Sequence, residues 1–221
     1  MTLRMSLPSS IIFGPQIGVP SPEYLSYIRA SLLRDTNAAL VVQIVSDLPD
    51  LWDLYTKSQP AFNRIPGRQL LGYICQWIRE DKQIPFQDSP PNILLAPLTV
   101  ITQAVEYFEY LRITCKGCPH ADVVKGLHEN GFQGLCIGLL TAIALSSARD
   151  QKNAVAQVGV ALRLAVMIGA VVDVNGRYAD PPRETSCVVA RLRGRSSTNA
   201  IQQILKSHDE VSPIGGICLF I

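Results

Sequence analysis

Apolar positions along the chain fall into helical and strand-like runs, separated by short connectors rich in proline and glycine. Ser10-Ile-Ile-Phe13 is a brief apolar run ending at Gly14-Pro15-Gln16, and it predicts a buried strand passing into a loop. Ser21-Pro22-Glu23 opens a helix, with serine as N-cap, proline at the first helical position and an acid in the first turn. Apolar residues then recur at helical spacing through Tyr24, Ile28 and Leu32. A second helical stretch spans about Ala38 to Tyr55, with a break near Pro49. A third runs from about Arg68 to Arg79 and sets Leu70, Tyr73, Ile74 and Trp77 on one face.

A turn-rich connector covers 83–91. Pro97 then predicts the start of an apolar and aromatic helix ending near Leu111, and 115–130 reads as a polar loop. Beyond it, a helix to Ala148 is followed by a long one from about Asn153 to Val172. Ser186 to Arg191 alternates like a strand and Thr198 to Ser207 reads as a helix. The chain finishes apolar through Ile221 with no closing cap, so the expectation is a fold cut short.

Composition narrows the class. With 221 residues, 48% hydrophobic and 17% charged, the chain can bury a large core. A net charge of +2 gives no reason to expect nucleic acid or a membrane surface as partner. The opening residues lack the apolar core of a signal peptide, and six irregularly spaced cysteines are most simply reduced thiols, which together predict a cytoplasmic protein. Ala154 to Val172 approaches the length of a membrane span, but Arg163 at its middle and Gln157 favour a core helix.

The candidate chemistry centres on Gly134-Leu135-Cys136-Ile137-Gly138, a GxCxG ahead of a small and apolar run. A nucleophile between two such glycines is the pattern of a sharp strand-to-helix turn that leaves the thiol exposed. The helix that follows would aim its N-terminal amides at the sulfur and supply a donor for a thioester oxyanion. A buried cysteine between packing glycines is the plainer alternative. Cys115 and Cys118 have metal or redox spacing, but there is no second ligand pair and no strand before them, so no metal is expected. Asp47, Asp50 and Asp53 read as a solvated helix end, and Arg191 to Arg195 as a small basic cluster able to meet an acidic partner.

Four blocks, occurring in order, resemble a known family: Ile11-Ile-Phe-Gly-Pro-Gln16, Leu98-Thr-Val-Ile101, Gly134-Leu-Cys-Ile-Gly-Leu-Leu140 and Ala161-Leu-Arg-Leu-Ala-Val-Met-Ile-Gly169. They are similar to the starter-unit acyl-carrier-protein transacylase domain of fungal non-reducing polyketide synthases. The resemblance implies an α/β fold: a malonyl-transferase-like, α/β-hydrolase-type large subdomain over 1–180 and a partial ferredoxin-like small subdomain over 181–221. It implies Cys136 as nucleophile, with Gly134 and Gly138 as turn glycines and the amides of Ile137 and Gln16 as the oxyanion hole. Malonyl transferases carry an arginine where this chain has Ile168, so the resemblance also implies an uncharged starter.

Acyl-CoA and the phosphopantetheine of an acyl carrier protein would be substrates, with no bound cofactor, and the rest of a polyketide synthase the partner. Relatives pair the cysteine with a late histidine. Only His120, His128 and His208 occur here, none in a matching motif, so the expectation includes an inactive fragment. The alternatives are a non-catalytic remnant or carrier-protein docking module, and a cysteine hydrolase.

Overall fold

The computed structural model describes residues 9–16, 18–34, 38–86, 89–127 and 131–182. The expected strand at Ser186–Arg191, the helix at Thr198–Ser207, the basic cluster, His128 and His208 lie outside the described residues. So does nearly all of the expected small subdomain at 181–221.

The described part is mostly helical around a two-stranded parallel sheet, an α/β arrangement in the broad sense. Strand β1 (Ile11–Phe13) pairs with β2 (Phe132–Gly134) in the register Ile11 to Phe132, Ile12 to Gln133 and Phe13 to Gly134. Between them run α1 (Pro22–Arg34), α2 (Ala38–Ser46), α3 (Leu48–Ser58), a 3₁₀ turn (Pro60–Arg64), α4 (Gly67–Glu80), α5 (Asn92–Ile113) and α6 (His120–Gly126). After β2 come α7 (Gly138–Ser146) and α8 (Gln151–Asn175).

Several local expectations hold. Ser21 Oγ accepts from the Tyr24 amide at 3.2 Å, capping α1, whose Leu25, Ile28 and Leu32 are buried. The break near Pro49 falls at Asp47, between α2 and α3. On α4 the buried face is Leu71, Ile74, Trp77 and Ile78, flanked by Leu70 and Tyr73.

Two expectations are corrected. Helix α5 begins at Asn92, not at Pro97, and Pro97 lies inside it. Pro97 has no amide to give to the Ile93 carbonyl and its ring crowds that group, and the helix start is held instead by a carboxylate from α8. Within 115–130, moreover, a short helix, α6, buries His120 and Val123.

The core is built on α5 against α8, which pack along their lengths. Small residues on α8 (Ala154, Ala161, Ala165, Gly169 and Ala170, all buried) let the two backbones approach closely. At Gly169 the approach is complete, since a Cβ there would strike the backbone of Asn92 and Ile93. Helix α8 is long and apolar enough to cross a membrane, with a mean hydropathy of 2.1 over its most apolar window, yet half of that window is buried against the other helices. Val160, Leu164, Ile168, Val171 and Val172 are its large exposed apolar residues, with the Arg163 side chain also in solvent.

This packing makes a paired prediction. Gly169→Ala is expected to destabilise the protein by about 1–3 kcal/mol, because backbone must move to admit the methyl group. Gly72→Ala in α4, where a Cβ would meet no atom within 4 Å, should instead stabilise it by up to about 1 kcal/mol. Urea midpoints of both variants check this, and equal shifts would show that Gly169 does not serve the close approach.

Candidate active site at the Cys136 turn

Strand β2 ends where the chain has to reverse into α7, and the turn is made at Cys136. The Leu135 amide donates to the Phe13 carbonyl at 3.0 Å, and the Gly138 and Leu139 amides donate back to Leu135 and Cys136, each at 3.0 Å. Cys136 itself has φ +56°, in the left-handed region. A residue with a Cβ is disfavoured there by about 1–2 kcal/mol. The strain persists because both flanking positions are fixed. A Cβ at Gly134 would strike the Gly138 carbonyl and Leu139 Cα, and one at Gly138 the carbonyls of Phe13 and Gly14.

The Cys136 side chain is exposed. Among the described residues, the amides of Ile137 and Gln16 have no backbone carbonyl partner. Two surface grooves lie elsewhere, one of about 490 Å³ lined by Trp52, Asp53 and Arg68 and one of about 290 Å³ lined by Tyr73, Phe86 and Tyr178. Neither is lined by Cys136.

The loop after β1 is held from α5 at two points. Gln103 Nε2 donates to the Gly14 carbonyl at 2.7 Å, and Thr141 Oγ1 of α7 donates to Gln103 Oε1 at 2.7 Å, fixing which end of the amide faces the loop. Gln16 Nε2 donates to Asn92 Oδ1 at 3.2 Å, and Asn92 Nδ2 donates to Asp173 Oδ1 at 2.9 Å. Sequence reasoning singled out Gln16 but missed Asn92, Gln103, Thr141 and Asp173. The signal was there for three of them: Gln103, Thr141 and Asp173 are isolated polar residues inside apolar helical runs. Ile168, the expected selectivity residue, is 41% exposed and precedes the glycine that packs on Asn92.

His120 is the histidine among the described residues, and it is built into the packing under the sheet. It is 1% exposed, stacks near Phe132 at 6.4 Å, and shares a 2.6 Å hydrogen bond between Nδ1 and Tyr107 Oη. Its Nε2 faces the carbonyls of Ala148 and Leu145 without the geometry of a full hydrogen bond. Burial pushes its pKa below 6.5, and those carbonyls and Asp150 oppose the shift only in part. A buried neutral imidazole in an aromatic cluster is a poor proton acceptor for an exposed thiol.

The remaining candidates are structural. Arg68 pairs with Asp50 at 2.9 Å and with Asp53, so these exposed acids form an ion-pair cluster. Cys115 and Cys118 are free thiols, and among the described residues no three His, Cys, Asp or Glu side chains converge as metal ligands.

Comparison with known families follows the same residues. The model of the starter unit:ACP transacylase in aflatoxin biosynthesis matches 59–214, more than half of the chain. The chain belongs to the starter unit:ACP transacylase family. This is an acyltransferase family, and the matched stretch contains Asn92, Cys136, Ile168 and Asp173, with Gln16 ahead of it.

The non-reducing polyketide synthase subA of Metarhizium robertsii is 36% identical over 202 residues, covering 87% of this chain and 9% of that protein. The 5-methylorsellinic acid synthase of Aspergillus terreus is 34% identical over 205 residues, covering 91% and 8%. The non-reducing polyketide synthase esdpA of Penicillium shearii is 34% identical over 209 residues, covering 93% and 9%. The starter unit:ACP transacylase chain thus spans less than a tenth of the length of these relatives.

Two predictions follow from the turn and its support. Cys136→Gly removes the left-handed strain and should be more stable than Cys136→Ala by about 1 kcal/mol in urea unfolding; equal stability would mean the turn is relaxed. For His120 the folded-state pKa is depressed, so the unfolded chain takes up the proton first. Its contribution to stability is therefore present above pH 6.5 and lost as pH falls below it. Urea midpoints should fall on acidification from neutral pH, and fall less in His120→Phe.

Proposed function

We propose that this chain is the acyl-carrying part of a starter-unit transacylase, with Cys136 as its nucleophile. The observation that carries the reading is an exposed thiol held in left-handed backbone geometry between two glycines that admit no side chain. Family membership supplies the reaction class.

The Cys136 thiolate attacks the carbonyl carbon of an acyl-CoA thioester and forms a carbon–sulfur bond. The carbonyl π electrons move onto oxygen, where the amides of Ile137 and of the loop at Gln16 receive the negative charge. Collapse breaks the bond to the CoA sulfur, which leaves as a thiolate and takes a proton. The phosphopantetheine thiol of an acyl carrier protein then repeats the exchange and frees Cys136. The proton taken from each attacking thiol needs an acceptor, and His120 is too buried to be it. A general base typically contributes about 10²–10⁴-fold to such a step, and among the described residues His120 does not supply it.

Ile168 offers apolar surface and no charge to pair with a carboxylate, which favours an acetyl or alkyl starter over a dicarboxylic one. In this reading residues 1–180 form a large α/β-hydrolase-type subdomain of malonyl-transferase kind and 181–221 part of a ferredoxin-like one. The chain works in the cytoplasm beside the other domains of a polyketide synthase, without a bound cofactor.

Intact-protein mass after incubation with acetyl-, hexanoyl- and malonyl-CoA tests this. The expected result is a thioester adduct with acetyl or hexanoyl, absent from Cys136→Ala and slower with malonyl. Faster loading from malonyl-CoA would overturn the role of Ile168. No adduct from folded protein would overturn turnover by this chain and favour carrier-protein docking.

A further inference from the structure

We infer that Asn92 is a positioning residue, oriented by the buried Asp173 carboxylate, that holds the Gln16 loop in place for oxyanion binding at Cys136. The inference rests on the transferase reading for its purpose and on the hydrogen bonds for its mechanism.

Asp173 is 2% exposed and lies in the last turn of α8. Its Oδ1 accepts from the Asn92 amide at 2.9 Å, and its Oδ2 accepts from the Ile93 amide at 2.8 Å. Those two donors are orphans at the start of α5, and a carboxylate at that end also opposes the helix dipole favourably. Capping explains two of the three bonds that the Asp173 carboxylate receives among the described residues. The third, from Asn92 Nδ2 at 2.9 Å, adds nothing to the cap.

What that bond does is fix a direction. An ionised carboxylate only accepts, so it selects the Nδ2 end of the Asn92 amide. Oδ1 is thereby turned outward, where it accepts from Gln16 Nε2 at 3.2 Å. With the amide flipped, oxygen would face carboxylate and two NH₂ groups would oppose each other. Asp173 therefore dictates the orientation of Asn92, and Asn92 dictates where Gln16 is held. The close approach of Gly169 to the Asn92 carbonyl brings α8 near enough for this.

The role separates from mere stability because Asn92→Ala keeps both backbone donors to Asp173 and loses only the tether. Hydrogen exchange should speed up in peptides spanning 12–20 and stay unchanged in those of α5 and α8. The rate of Cys136 acylation by acetyl-CoA should fall about 10–100-fold, as for a misplaced oxyanion donor. Alkylation of Cys136 by iodoacetamide, which forms no oxyanion, should keep its rate. Gln16→Ala should act alike, and the double variant should be no slower than the slower single one, the mark of a shared tether.

Unchanged exchange over 12–20, or acylation and alkylation falling together, would overturn the inference. If the unaltered chain forms no thioester, the transferase reading fails on its own. The exchange comparison then still decides whether Asn92 holds the loop.

Discussion

Three backbone segments meet at Gly138 with no side chain between them, and the geometry of the site depends on that meeting. The carbonyls of Phe13 and Gly14 face the Gly138 Cα, while the Gly138 carbonyl closes on Gly134. The end of β1, the end of β2 and the start of α7 thus form one rigid knot, and Cys136 is the residue in it that carries a reactive side chain. Its left-handed φ is a consequence, because the short link from Gly134 to Gly138 leaves no relaxed path. Such strain persists only where the surroundings over-determine the backbone. Here they do so through carbonyl contacts, which cannot rotate aside as a side chain could.

A two-stranded sheet would not hold such a knot alone. One face of the strands is clamped by rings: Phe13 stacks near Phe132 at 6.2 Å, and Tyr107 meets both edge-on at 6.5 and 5.6 Å. His120 completes the cluster, and its hydrogen bond to Tyr107 satisfies a phenol whose own pKa burial drives upward. Buried polar groups cost about 1–3 kcal/mol each when left unpaired. Placing Gln103, Thr141 and Asp173 in the interior therefore favours the arrangement of α5, α7 and α8 that pairs them.

How far the sequence discloses this depends on the range of the forces. The Cys136 turn is legible because its cause is local: two glycines around a nucleophile, with a strand before and a helix after. The start of α1 is legible for the same reason, its cap lying three residues from the amide it serves. The start of α5 is not. Its N-cap position is Pro91, which has no side-chain acceptor, and the carboxylate that closes the end comes from Asp173. A reader of local signals has only Pro97 to go on, five residues too late. Helix α6 is hidden for another reason: its seven residues are too short for a period to show.

The two demands on the site pull apart, and the fold answers them in different places. In the proposed reading a nucleophile that exchanges acyl groups between carriers has to be reachable, whereas donors for an oxyanion gain most when fixed in advance. Cys136 is exposed, and it lines neither of the two grooves at Trp52 and at Tyr73. Fixity is supplied from behind, through amides and a carboxylate on α5 and α8 that bind backbone and loop without approaching the open face. Gln103 holds the Gly14 carbonyl and Asn92 holds Gln16, so the loop is restrained on the side away from solvent. Long helices suit this task, because their buried faces carry such groups in a fixed register.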